Sequence, residues 1–197
     1  MSILRRLVIR NMLLERQLET LVECGIRPAE GVGLNDLLAR HRETEYERSP
    51  FTLLLRVLGS APESDPQHWL SDNIWRLDIE SIGGPGDYVR VAHRMAAMTE
   101  GALPIADVRD GIDPRQGVAW LEFTLEGTQN KWHARMEENW IDSRIMSNFV
   151  KLLESRDTQK RFTYLDLPGK ECLIGCSTPA ELAALRKWTG LPFEWLG

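Results

Sequence analysis

Cysteine, lysine and long apolar runs are all scarce in this chain. Three cysteines among 197 residues form an odd set, which argues against a disulfide framework and for a reducing compartment. A cytoplasmic protein is therefore expected. Lysines number five against nineteen arginines, a usage typical of GC-rich bacterial genomes. No run approaches the roughly 18 apolar residues that a membrane span needs. The opening ten residues hold Arg5, Arg6 and Arg10 among apolar neighbours. They lack the uninterrupted core and small-residue cleavage site of a signal peptide, so they read as helix.

Reactive motifs are missing too. The histidines, His41, His68, His93 and His133, show no ligand spacing, and neither a nucleophile elbow nor a dinucleotide fingerprint is present. Cys172 and Cys176 sit four apart; on a strand they share a face at roughly 13 Å, too far to chelate one ion. They read as small buried hydrophobes. No metal and no cofactor are expected.

The charge that is present is mostly acidic. The chain carries −5 overall. Residues 1–60 hold nine basic and eight acidic side chains, and residues 61–197 fifteen and twenty-one, leaving −6 on the second part. An acidic body repels phosphates, so nucleic acid is excluded as the expected partner.

The 43% hydrophobic and 27% charged fractions suit one ordinary globular core. Residues 1–60 read as a helical section. Leu4, Leu7, Val8, Leu14, Leu18, Leu21 and Val22 recur at helical spacing with Gly25 as a stop. A short helix follows at Leu34–Arg40, and a third opens at Ser49-Pro50, runs from Phe51 to Leu58 and closes at Gly59; so short an apolar run also suits a buried strand, with helix the favoured reading. Residues 60–68, with Pro62 and Pro66, form a connecting loop. Residues 61–197 read as an α+β body continuous with that section.

In this body, Ile74–Ile79 and Ile105–Val108 read as strands, and Asp87 as the cap of a helix carrying Val89, Ala92, Met95 and Ala96. Asp107, Asp110 and Asp113 read as a solvated turn rather than a calcium loop. A hairpin turning at Gly127-Thr128 pairs Phe123 with Trp132, Leu121 with Ala134 and Ala119 with Met136 on its apolar face. Its polar face then pairs Glu122 with His133, Trp120 with Arg135 and Thr124 with Lys131. Asp142 or Ser143 caps a helix with an Ile145, Met146, Phe149, Leu152 and Leu153 stripe. A second hairpin joins Arg161–Leu167 to Glu171–Cys176. Phe162, Tyr164 and Leu173 are expected on one face and Leu165, Cys172 and Ile174 on the other, both covered. Thr178-Pro179-Ala180-Glu181 is a capping box opening a helix that Gly190 ends. The tail, with Phe193 and Trp195, docks on the body. The predicted fold class is α+β: an antiparallel or mixed sheet with helices packed on it, preceded by the N-terminal helical section. The two hairpin-then-helix units, 117–154 and 161–189, suggest a pseudo-repeat.

Three groups of residues invite a functional reading. Gly83-Gly84-Pro85-Gly86 before a helix suggests a phosphate loop, but Pro85 removes a donor and Asp87 places a carboxylate there. A strand-to-helix turn is the better reading. Glu122, His133 and Arg135 offer a polar set for a small-molecule pocket or an acid–base pair; surface electrostatics is the plainer alternative. Glu137, Glu138 and Asp142 bracket Trp140, while Asp78, Glu80 and Asp87 gather near the glycines. An aromatic flanked by carboxylates suits a basic protein partner.

The run Ile74 to Glu80 with Gly84-Pro85-Gly86-Asp87-Tyr88, and the end from Arg161 through Cys172–Cys176 to Thr189–Leu196, resemble uncharacterised bacterial proteins of similar size. In size, acidity and layout the chain is also similar to immunity proteins of bacterial toxin systems. That resemblance implies a non-catalytic interaction protein that inhibits a basic toxin domain through an acidic surface. The alternative is a small-molecule-binding protein or enzyme with a pocket between sheet and helices. A homodimer through the N-terminal helix is compatible with both.

Overall fold

The computed structural model describes residues 12–61, 68–113, 115–135 and 139–197. The expected helical positions Leu4 to Val8, the loop residues Pro62 and Pro66, and Met136, Glu137 and Glu138 lie outside them. Among the described residues the fold is α+β, with seven helices and two antiparallel sheets.

Four helices come first: α1 (Leu14–Glu23), α2 (Leu34–Leu38), α3 (Glu43–Arg48) and α4 (Thr52–Leu58). Helix α1 ends as its glycine foretells. Gly25 takes φ +89°, and the amides of Gly25 and Ile26 donate to the carbonyls of Val22 and Leu21, the paired bonds of a Schellman motif. Helix α3 was not foreseen, and α4 begins at Thr52 rather than at Ser49-Pro50. The reason is a buried side chain. Phe51 precedes the helix at φ 64°, and its N–H donates to Gln17 Oε1 at 2.8 Å, while the Gln17 amide donates to the carbonyls of Met12 and Tyr46.

The remaining elements are β1 (Ile74–Asp78), α5 (Asp87–Ala97), β2 (Ile105–Asp113), β3 (Val118–Leu125), β4 (Thr128–Arg135), α6 (Ser143–Glu154), β5 (Arg161–Asp166), β6 (Glu171–Ser177), α7 (Pro179–Thr189) and β7 (Glu194–Trp195). The larger sheet has the order β1-β6-β5-β7, the smaller β2-β3-β4. Both hairpin-then-helix units exist as β3-β4-α6 and β5-β6-α7, but their hairpins lie in different sheets.

The larger sheet is apolar on both faces. Ile74, Leu165 and Leu173 join one core with Leu21, Tyr46, Leu54, Leu58, Leu182 and Phe193 from the helical section, α7 and the tail. Trp75, Phe162, Ile174 and Cys176 face the other way, into a core shared with α5, α6 and the inner face of the smaller sheet. Leu173 sits opposite Leu165 and Ile174 opposite Tyr164, so the expected sharing of faces was wrong. The two-sided covering holds, while the pairing is displaced by one residue because the connection spans Leu167–Lys170, with the Leu167 N–H donating to the Glu171 carbonyl.

The β3–β4 hairpin corrects a second register. Leu121 faces Trp132, Ala119 faces Ala134, Glu122 faces Lys131 and Trp120 faces His133. The turn is Glu126-Gly127, at φ 49° and 79°. Two positive values make it type I′, not the expected II′. The shift is two residues, so every side chain keeps its face.

Asp107, Asp110 and Asp113 belong to β2 rather than to a solvated turn. A bulge between Ala106 and Arg109 contains Asp107 at φ 52°. It sets Arg109 opposite Glu122 and Asp110 opposite Leu121, on the side where α5 packs. Asp110 then accepts from the amides of Gly86, Tyr88 and Val89. The carboxylate at the α5 N-terminus is therefore Asp110, reached across the fold. Gly86 stands at the N-cap position in place of Asp87.

Helices α6 and α7 begin as expected. Asp142 caps α6 by accepting from the Arg144 N–H. Thr178 and Glu181 form the reciprocal box at α7, and Gly190 ends it at φ 73°. Phe193 is fully buried, and β7 pairs with β5.

Candidate functional site

The two acidic clusters lie far apart in sequence and meet in the fold. The Ile141 N–H donates to the Ile79 carbonyl at 2.9 Å, and the Ile82 N–H to the Asn139 carbonyl at 3.0 Å. These bonds lay the segment leading into α6 along the continuation of β1. Trp140 and Asp142 thus sit beside Asp78 and Glu80.

Trp140 is 39% exposed. Beside it opens a groove of about 300 Å³ whose walls include Leu77, Ile79, Met146, Val150, Cys172 and Leu196. It exists because α6 and the C-terminal tail cover the sheet incompletely at the β1–β6 end. The Lys170 ammonium lies 5.6 Å from the Trp140 ring and also pairs with Glu80.

The carboxylates are less free than the sequence implied. Burial pushes the Asp142 carboxyl up, but the Arg144 guanidinium and the amides of Arg135 and Arg144 hold it below the usual range. It is an internal fastener with an 8% exposed side chain. Asp87 accepts from the amides of Gly83 and Gly84 and pairs with Arg90 at 3.1 Å, which closes the glycine turn on itself. Asp78 is exposed and accepts from the Glu80 N–H. The structure therefore brings Trp140, Asp78, Glu80 and Asp142 together; Glu137 and Glu138 lie outside the described residues.

The second candidate set, Glu122, His133 and Arg135, does not converge. Glu122 lies on the polar face of the smaller sheet, bonded to Arg109 at 2.5 Å and to Gln129 at 2.6 Å, with Lys131 at 3.3 Å. The Lys131 hydrogen bond, followed by Arg109, holds its carboxyl below the usual range. His133 is exposed opposite Trp120. Arg135 instead lines a hollow with Trp140 and Asp142.

Burial sets the thiol chemistry. It pushes Cys172 and Cys176 up to about 12 and Cys24 up to about 11, so all three stay protonated and unreactive near neutral pH. No group of three or more His, Cys, Asp or Glu able to hold a metal ion occurs among the described residues. No helix there is long and apolar enough to cross a membrane.

One buried cation escaped the sequence reading: Arg94, 3% exposed in the apolar arc of α5. The available signal was a cation between Val91 and Met95, both core positions. No protein-family model matches the chain, and no curated protein or solved structure is significantly similar to it.

Proposed function

We propose that the protein is a non-catalytic interaction protein whose partner surface is the Trp140 rim. The carrying observation is an exposed indole beside an open apolar groove whose walls include Leu77 and Ile79, the residues on either side of the exposed Asp78. Aromatic anchors next to grooves are where binding energy concentrates, and the exposed Asp78 carboxylate favours a basic partner, while Glu80 is already paired with Lys170. The partner class is a basic protein domain. The immunity-type reading, inhibition of a toxin domain in the cytoplasm of the producing bacterium, is the form of this activity that we favour.

The test is calorimetric binding, at two salt concentrations, of a basic protein captured with this chain from its source cells. We expect affinity to fall as salt rises and Trp140→Ala to weaken binding at least about tenfold, as hot-spot aromatics do. Absence of a complex, or one indifferent both to salt and to Trp140→Ala, overturns the reading.

A further inference from the structure

Helix α5 presents a second cavity, about 610 Å³, at a different place in the fold. One wall is a stripe of α5 comprising Val89, Arg90, His93, Arg94 and Ala97; Trp69 contributes to the other. These positions recur at helical spacing and share one face.

Arg94 is the unusual member. Its guanidinium stacks 4.3 Å from the Trp69 ring centroid, and Nη2 donates to the carbonyls of Ser71 and Ile74. A guanidinium has five N–H donors. Here two acceptors hold it, and Nε has no hydrogen-bond partner. No carboxylate of the described residues forms an ion pair with it; Asp72 acts on it only through longer-range attraction. Burial pushes the group down to about 10, so it remains charged at neutral pH. A buried charge held, among the described residues, by two neutral carbonyls and an aromatic face is costly, and a counter-ion offsets that cost.

The neighbourhood indicates what kind of counter-ion fits. Asp110 already fills the N-terminal end of α5, and Asp87 occupies Arg90. Arg94 lies eight residues from Gly86, about 12 Å along the axis, which keeps it beyond close contact with Asp110. His93 adds an imidazole on the same face, while Trp69, Val89 and Ala97 supply apolar and aromatic surface. A cavity of several hundred cubic ångströms with apolar walls and a few polar groups is suited to a small molecule.

We infer that this cavity binds a small organic oxyanion, its carboxylate or phosphate against Arg94 and its apolar body against Trp69, Val89 and Ala97. The site would make the protein ligand-responsive independently of the Trp140 rim.

Thermal unfolding tests this with benzoate and inorganic phosphate as probes, each against sodium chloride of equal ionic strength. A ligand that binds only the folded state raises the midpoint, and we expect roughly 3 °C or more for at least one probe; the more effective probe identifies the oxyanion class. Arg94 also supports the fold, so the variants sit at exposed Ala97. Ala97→Glu puts a carboxylate one turn from Arg94. It is expected to raise the midpoint without probe and abolish the probe response, whereas Ala97→Gln retains the response. No shift with either probe, or a shift that persists in Ala97→Glu, overturns the inference.

Discussion

The two sheets show how differently the same pairing pattern can be used. The larger sheet is covered on both faces, by the helical section on one side and by α5 and α6 on the other. The smaller one buries Ala119, Leu121, Phe123 and Ala134 and turns Glu122, Lys131, His133 and Trp120 outward. In the covered sheet, apolar residues of both faces are held by neighbours above and below, so a change of register would move buried side chains on either side. On the open sheet, polar pairs decorate a face already stabilised from beneath. The lesson is that charge visible in the sequence reports chemistry only where it is left unpaired. Glu122 is bonded to Arg109, Gln129 and Lys131, whereas Arg94 forms no ion pair with a carboxylate among the described residues and its Nε has no hydrogen-bond partner there.

This comparison can be broken most forcefully where the sheets share a core. Phe149 packs against Phe123 and Trp132 of the smaller sheet, with ring centroids 6.1 and 4.9 Å away. Phe149→Ala is expected to lower stability by about 3–5 kcal/mol, the range for buried aromatics, measured by urea denaturation. A loss below about 1 kcal/mol would mean that the sheets are not held through this ring. The next effect belongs to the α7 capping box under the covered sheet: Thr178→Ala should cost about 1 kcal/mol.

Acid sensitivity should enter through both sheets, by Glu171 in the larger and Glu122 in the smaller, and Glu171 is the one that ties a sheet to the helical section. Glu171 bridges Arg76 and Arg56, joining β6 and β1 to α4. The Arg76 hydrogen bond, then Arg56, holds its carboxyl below the usual range. Its folded pKa is depressed, so its contribution is fully present above the unfolded value of about 4.3 and is lost as pH falls through the folded one. Glu171→Gln should flatten the stability profile below about pH 4.3; an unchanged slope would refute the bridge.

On the open sheet, expected effects are smaller. Glu122→Gln should cost about 1 kcal/mol, because Glu122 is only 9% exposed but the amide oxygen that replaces the carboxylate can still accept from Arg109 and Gln129. Glu126→Asn should add a few tenths of a kcal/mol, because Asn-Gly suits the type I′ turn. A destabilised Glu126→Asn would contradict the register found here.

Much of the fold was readable from local chemistry. The Schellman stop at Gly25, the Thr178–Glu181 box, Asp142 as a cap and the α6 stripe all depend on neighbours within a few residues. Interactions over longer ranges were not readable. Gln17 displaces the start of α4 through a bond to Phe51, and the β2 bulge delivers Asp110 to α5. Half of the Trp140 site was legible as residue types, but its adjacency to Asp78 and Glu80 depends on the backbone bonds at Ile79 and Ile82.

The sequence by itself determined most of the segments that become helix or strand, α3 and the second half of β2 apart, and which face of the first hairpin is apolar, because side-chain periodicity and caps act locally. A two-residue slip leaves those faces unchanged, so the hairpin pattern could not choose the register; the turn conformation at Glu126-Gly127 did. Only the tertiary structure decided which charges find partners. That choice depends on which distant strand or helix arrives beside each one, and the energy of a buried charge is set by those neighbours.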